Sequence, residues 1–351
     1  MQRVAVVGGG LIGLSCAWHL AKAGCQVQLY DASPESREAS WAAAGMLAPH
    51  HEAETDTPLW RLCAASLDRW PEFLDGLGLG PAAVNWRAEG GWIRATSSDE
   101  LSRLEAQLRW LRSAGVEVNR LSPAAVNRMC PGIDPGSGAL WLPGAQVDPR
   151  LVLNGLRQAC VTAGVIMHAG ARVERIDGCC VLLAGGTRHE HDEIVLASGA
   201  WTAALAALVG IDLPGEPVKG QLIRIVSTRE LPGFVRSGHY YLLTRRGGDV
   251  VVGATMVTSG FDRSEDPVAI ATLAAWAAEV MPSLRGATLR ESWTGLRPRL
   301  VGGQPVIRRM RPGLVIATGH FRNGVLLTPI TGELVAAAVT GQSDGWESAA
   351  E

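Results

Sequence analysis

Arg3-Val4-Ala5-Val6-Val7-Gly8-Gly9-Gly10-Leu11-Ile12-Gly13 opens the chain and decides its fold. The first five residues form a short apolar, β-branched run of the buried-strand kind. Gly8, Gly10 and Gly13 then satisfy G-x-G-x-x-G. A helical pattern follows through Ala23, with Gly24 placed to end it. Gln26 to Tyr30 reads as the next strand and stops at Asp31. The first glycine permits a tight turn, the second lets backbone approach a pyrophosphate, and the third lets helix pack closely on strand. The helix start offers N–H groups and partial positive charge to phosphates. Asp31 stands at the strand end, where a carboxylate accepts hydrogen bonds from ribose hydroxyls. One such fingerprint predicts one bound dinucleotide, and on this stretch alone nicotinamide and flavin cofactors are both open.

The remainder of the 351 residues gives room for two or three domains at roughly 150 residues each. A formal net charge of −2 argues against nucleic acid or an anionic membrane surface as partner, since either calls for a basic face. No apolar run reaches the ~18 residues that span a bilayer, and Met1-Gln2-Arg3 leads into the first strand with no cleavable leader expected. Seven scattered cysteines with no C-x-x-C pair argue against a disulfide framework or a zinc site and fit a reducing cytoplasm. Cys179-Cys180 reads as two small apolar strand residues. All but two of the 32 basic side chains are arginine, the exceptions being Lys22 and Lys219, so an arginine by itself carries little weight.

Leu59–Leu74, Leu101–Ala114 and Leu151–Ala163 are expected to be helices, and the Pro/Gly-rich stretches 76–81 and 131–144 to be crossings between regions. Val165–Met167, Arg172–Ile176 and Glu193–Ala197 read as strands. After Pro217 the texture turns antiparallel: Gln221–Val226 alternates, and Tyr240–Thr244 and Asp249–Ala254 flank the hairpin signal Gly247-Gly248. Gly313–Ala317 is a further buried strand, and Gly319–Gly324 is expected to open a last helix running to about Thr340. His189-x-His191, beside Glu190 and Asp192, reads as a solvated hairpin turn rather than a metal pair, and His50-His51 is read the same way. No metal site is expected. Lys219 reads as structural.

Three segments discriminate between the cofactors. Ala42-Ala43-Ala44-Gly45-Met46-Leu47 is small enough to let backbone lie against a flat ring. Val195-Leu196-Ala197-Ser198-Gly199-Ala200-Trp201 is a strand running into small residues, and Gly319-His320-Phe321-Arg322-Asn323-Gly324 is the third. Together they resemble the glycine oxidase (ThiO) branch of the D-amino-acid oxidase family of FAD-dependent enzymes, over essentially the whole chain. The resemblance implies a Rossmann-like α/β FAD-binding domain, discontinuous along the chain at 1–85, 145–215 and 305–345. A second α+β substrate domain of mixed antiparallel sheet would comprise 86–144 and 216–304. It implies non-covalent FAD, the cysteines closest in sequence to a flavin segment being Cys16 and Cys25.

Carried over by position, the resemblance puts Gly8, Gly10, Leu11, Ile12 and Gly13 in the phosphate turn and Asp31 and Ala32 at the ribose. Family members more often carry Glu at the position of Asp31. Ala39, Ser40, Ala44, Gly45 and Met46 match the segment along pyrophosphate and flavin, and Val173 the strand residue at the adenine. His320, Phe321, Arg322, Asn323, Gly324, Val325 and Leu326 match the loop and helix start beside the flavin pyrimidine. A helix start there would stabilise the anionic reduced ring.

For the substrate, Arg297 in Trp293-Thr294-Gly295-Leu296-Arg297-Pro298 matches the carboxylate-binding arginine, and a guanidinium fork suits two carboxylate oxygens. Tyr241 matches a tyrosine reaching the same carboxylate. His239 is expected on its strand face by alternation, Arg322 near substrate and flavin, and Met256 on the pocket wall. The implied reaction passes hydride from the α-carbon of a small amino acid to flavin N5, with dioxygen reoxidising the flavin to give hydrogen peroxide. The setting it implies is the thiazole half of thiamine biosynthesis. A D-amino-acid or sarcosine/proline dehydrogenase with another electron acceptor is the enzymatic alternative. A flavin-binding assembly or tRNA-modification subunit is the non-catalytic one. A homo-oligomer is left open.

Overall fold

The computed structural model describes residues 1–33 and 37–342. The opening stretch forms strand Arg3–Val7, helix Leu11–Lys22 and strand Gln26–Asp31, with Gly24 at φ +85° turning the chain between helix and second strand. The two strands pair in parallel, Arg3 opposite Gln26 and Val7 opposite Tyr30. They lie inside a six-stranded sheet ordered 306–311, 314–318, 193–196, 3–7, 26–31, 166–169. Five of its strands run parallel, the edge strand Ile166–Ala169 among them, and Val306–Arg311 closes the other edge antiparallel. Strand Arg3–Val7 is buried at every position but its first, as a central parallel strand covered on both faces must be.

Four helices begin in one way. Thr57, Ser122, Asp148 and Asp266 each cap the helix with a side-chain oxygen, and each is followed by proline at the first helical position. The cap satisfies an otherwise unpaired N–H, and the proline supplies a preset φ where no N–H is needed. Leu101–Ala114 is two helices rather than one, Ser98–Gln107 and Arg109–Ser113, parted where Leu108 leaves helical geometry.

An eight-stranded sheet forms the second layer, ordered 289–300, 215–225, 250–253, 240–244, 234–237, 91–95, 138–142, 119–121. Gly215–Ile225 and Leu289–Leu300 pair antiparallel along their whole length. Gly138–Leu142 is a strand inside the stretch read as a crossing, so that expectation is corrected: Ala139 to Leu142 pair with Gly91 to Arg94, and the flanking glycines turn the chain at its ends. The only parallel pair in this sheet, Phe234–Arg236 with Gly91–Ile93, joins segments far apart in sequence.

The histidine pairs are also corrected. His191 is buried and its Nε2 lies 3.1 Å from the Tyr30 hydroxyl, while His189 sits in strand Arg188–Glu190 paired to Cys180–Leu183. Both are held because Tyr30, on the central sheet, packs against them. His50 and His51 are buried as well, His50 accepting the Trp60 indole N–H at 3.1 Å and His51 lying against the Phe234 ring. Cys179 falls in a turn and Cys180 in the strand after it, and all seven cysteines are free thiols. Lys219 is structural, its ammonium bound to Asp262 and to the Ser264 carbonyl.

Candidate active site

Four parallel strands deliver their carboxyl ends to one cavity of about 790 Å³. Gly8 to Gly10 follow Arg3–Val7, Ala32 follows Gln26–Asp31, Ala197 to Trp201 follow Glu193–Leu196, and His320 to Arg322 follow Leu314–Thr318. An open α/β sheet binds its ligand in this crevice, where the strand order reverses.

At one end the wall is bare backbone. Gly8 has φ +116°, and a Cβ there would lie 2.4 Å from the Ala197 carbonyl oxygen. A Cβ on Gly9 would lie 2.3 Å from Asp31 Oδ2, so the carboxylate closes over the turn. Gly13 stands back from the cavity and packs on the turn itself, its absent Cβ falling 1.9 Å from the Gly8 carbonyl. Helix Leu11–Lys22 starts with no side-chain cap and no acid in its first turn, which leaves the positive end of its dipole uncompensated. Leu11, also off the wall, donates its N–H to Ser40 Oγ at 3.0 Å, and the first N–H groups of a helix have no intrahelical acceptor.

Along the cavity, Ala39, Ser40, Ala44, Gly45 and Met46 form one side, with Ala32 and Val173 near the Asp31 end. The carbonyls of this segment turn away from the cavity. Trp293 Nε1 donates to Ala42 O at 2.8 Å, and Arg245 Nη2 to Ala44 O at 2.6 Å. Behind it the Arg150 guanidinium lies 3.5 Å from the Trp41 ring centroid and 4.7 Å from that of Trp293, a desolvated cation–π stack.

His320, Phe321, Arg322, Gly324 and Val325 line the far side, while Asn323 and Leu326 do not. Asn323 donates its N–H to the His320 carbonyl, and the Leu326 carbonyl accepts from Ser66 Oγ and the Trp70 indole, so both serve the loop's own fold. The expected helix start is corrected here. Phe321–Asn323 is one 3₁₀ turn, and the helix begins only at Thr328, where Pro329 can occupy its first turn.

Arg297, Tyr241, Arg322, His239 and Met256 all line the same cavity. Arg297, on strand Leu289–Leu300, lies across Gly220 of the neighbouring strand, where a Cβ would come 2.2 Å from its Nη2. Likewise a Cβ on Gly253 would lie 2.7 Å from the Tyr241 hydroxyl. Two glycines therefore make the room that two polar side chains use. Tyr240 points the other way and packs on Trp276. His239 reaches the wall from the turn before the strand, not from its face, so the alternation argument is corrected. Met256 is 56% exposed at the rim.

Sequence reasoning missed Glu52, which lines the cavity and accepts a hydrogen bond from Arg322 Nη2. Its loop is held by Arg236, which donates to the His51 carbonyl. The charged triplet Arg297, Arg322 and Glu52 leaves one positive charge in excess, which suits an anionic group. Burial lowers the Arg297 pKa, against the pull of Tyr241 and Glu52, and the guanidinium stays charged. Burial raises the Tyr241 pKa, so its hydroxyl stays protonated and can donate.

Burial also lowers three histidine pKa values, to about 4 at His50 and about 3 at His51 and His320. An unfolded histidine titrates near 6.5, so between that pH and about 4 the unfolded chain binds protons that the folded one refuses. Stability is then lost as pH falls, by up to about 1.4 kcal/mol per pH unit for each histidine. Thermal unfolding across pH 7 to 4.5 is expected to show a steadily falling midpoint, and a flat profile would contradict the buried neutral assignment.

These features fit FAD: a glycine cradle, an open helix end, a strand-end carboxylate and an extended chamber with a polar far wall. No cysteine lines the cavity. Among the described residues no cluster of three or more His, Cys, Asp or Glu could hold a metal ion, and no helix is long and apolar enough to cross a membrane.

Fold and cavity together define a dinucleotide-dependent redox enzyme. The family model for FAD dependent oxidoreductases matches residues 3–338, and the chain belongs to that family. It is 33% identical to the glycine oxidase of Geobacillus kaustophilus, over 95% of this chain and 91% of that protein. It is 32% identical to the bifunctional protein ThiO/ThiG of Nostoc sp., over 97% of this chain and 53% of that protein. The crystal structure of glycine oxidase from Geobacillus kaustophilus superposes with a TM-score of 0.92 at 31% identity, covering 98% of this chain and 96% of that one.

Proposed function

We propose that this enzyme oxidises glycine or another small primary or secondary amino acid, with dioxygen as final electron acceptor. The observation that carries the reading is the pairing of Arg297 with Tyr241 on the wall of the cavity that also holds the phosphate turn. A guanidinium and a protonated phenol side by side are donors for one carboxylate. Bound FAD supplies the two-electron acceptor for oxidation of the α-carbon.

The chain's own groups bind and orient. Gly8 to Gly10 and the Ile12 helix end would hold the pyrophosphate, Asp31 the ribose, Val173 the adenine, and the Ala39–Met46 and His320–Val325 segments the ring. Arg297 and Tyr241 would take the substrate carboxylate and so fix the direction of the Cα–H bond. Arg322, held by Glu52, and His239 and Met256 would bound the space beside it. No side chain is needed as base when the substrate enters with a neutral amine. The imine product is then released or hydrolysed. Similarity to a ThiO/ThiG protein supports a setting in the thiazole branch of thiamine biosynthesis, and the reading includes a cytoplasmic location. Segments 1–85, 145–215 and 305–345 would hold the cofactor, and 86–144 and 216–304 the substrate.

Anaerobic mixing of the yellow holoenzyme with glycine, sarcosine, D-alanine and D-proline tests the reading. Glycine is expected to abolish the flavin's visible absorbance, and air to restore it with one peroxide formed per turnover. Absorbance unchanged by every amino acid would sink the proposal. Bleaching by an amino acid without peroxide in air would reassign the acceptor and make the enzyme a dehydrogenase.

A further inference from the structure

Arg245 is buried, stands just beyond strand Tyr240–Thr244, and does not reach the cavity wall. Its Nη1 donates to the Val147 carbonyl at 2.9 Å, its Nη2 to the Ala44 carbonyl at 2.6 Å, and its Nε lies 3.3 Å from Asp148 Oδ2. Burying a guanidinium is costly, and well-packed apolar side chains serve as well where only packing is required. Its geometry shows what the charge does there. A trans peptide is planar, with its C=O and N–H opposed. With the Ala44 carbonyl drawn back onto Arg245, the Gly45 N–H is turned toward the cavity that Gly45 lines. Among the described residues that N–H meets no protein acceptor. Trp293 draws back the Ala42 carbonyl in the same way.

We propose that Arg245 is a positioning residue for the cofactor: its guanidinium fixes the Ala44–Gly45 peptide so that the Gly45 N–H is a preorganised donor to the bound ring. Two carbonyls accept hydrogen bonds from the two terminal nitrogens of one guanidinium, and the Asp148 carboxylate pairs with its charge. The arrangement also links the cofactor wall to Tyr241, which lies in the short strand that Arg245 follows. The inference rests on the cofactor site alone and does not depend on which amino acid is oxidised.

The test compares holoenzymes carrying Arg245→Met and Arg245→Lys with the wild type. The readouts are the FAD dissociation constant, from flavin fluorescence, and the flavin midpoint potential, from dye-coupled titration. Arg245→Met is expected to weaken FAD binding about tenfold or more. It should also move the potential to more negative values, since a donor aimed at the ring favours added electron density. Arg245→Lys, which keeps the charge and can reach one carbonyl, should recover most of both. Should Arg245→Met fail to accumulate, Arg245→Gln, an uncharged side chain that keeps one N–H donor, is expected to move both readouts the same way by less. Unchanged potential and FAD affinity in folded Arg245→Met, even with a lowered melting temperature, would make Arg245 purely structural and overturn the proposal; for Arg245→Gln unchanged readouts do the same. A wild-type chain that takes up no FAD would instead overturn the cofactor site itself.

Discussion

Arg297→Ala is expected to raise the KM for glycine steeply and lower kcat/KM by about 30- to 4,000-fold, the equivalent of about 2–5 kcal/mol for losing one partner of a desolvated charge pair. In the structure one guanidinium nitrogen donates to the Thr255 carbonyl at 3.2 Å, while the rest of the fork lies over Gly220 and faces the cavity beside Tyr241. The other nearby cation cannot substitute freely, because Arg322 is engaged by Glu52. The interaction is made to a carboxylate that does not itself react, so much of the loss belongs in KM rather than kcat. FAD content should be unchanged, since Arg297 lies over Gly220 on strand Leu289–Leu300, a different element from the phosphate turn. Arg297→Lys restores charge but not the fork and should recover only part of the affinity. Unaltered glycine kinetics in Arg297→Ala would remove this residue from the substrate site.

Gly8→Ala is expected to yield a colourless protein. At φ +116° an L side chain is strained, and the added methyl would meet the Ala197 carbonyl at 2.4 Å and its carbon at 2.7 Å. Both are backbone atoms of the adjoining strand end, with no flexible side chain to move aside. Strain and overpacking together are worth about 2–5 kcal/mol, concentrated where the pyrophosphate must lie. Gly24→Ala provides the control. Gly24 has φ +85°, yet a Cβ there meets nothing within 4 Å, so that variant should lose some stability and keep its colour. Flavin content measured after desalting separates the two, and a fully yellow Gly8→Ala would contradict the placement of the phosphate turn.

The sequence was most legible where chemistry is carried by neighbours in the chain. Strand, glycine turn, helix, strand and Asp31 fall within thirty-one residues, and each appears where the pattern puts it. The same holds for Arg297, whose flanking residues distinguished it from a crowd of arginines. Features made by distant segments were not legible. His50 and His51 look like a polar loop, and the distant Phe234 and Arg236, with Trp60, help to bury and hold them. Glu52 enters the site with that loop. The second sheet interleaves 91–142 with 234–253, and its parallel pairing of Phe234 with Gly91 leaves no local trace. His239 was misplaced by a two-residue turn that interrupts the alternation. The last helix starts late because Phe321, at φ +46°, breaks the backbone before it.

Gly220 and Gly253 carry a lesson for anyone mapping this enzyme by mutagenesis. Each makes room for a polar side chain of the cavity by being empty, and a scan that trims side chains one at a time treats such positions as already blank. The informative experiment there runs in reverse: adding one methyl group to either would push a guanidinium or a phenol out of line, and graded additions at these two points offer a way to retune substrate preference without touching any polar group.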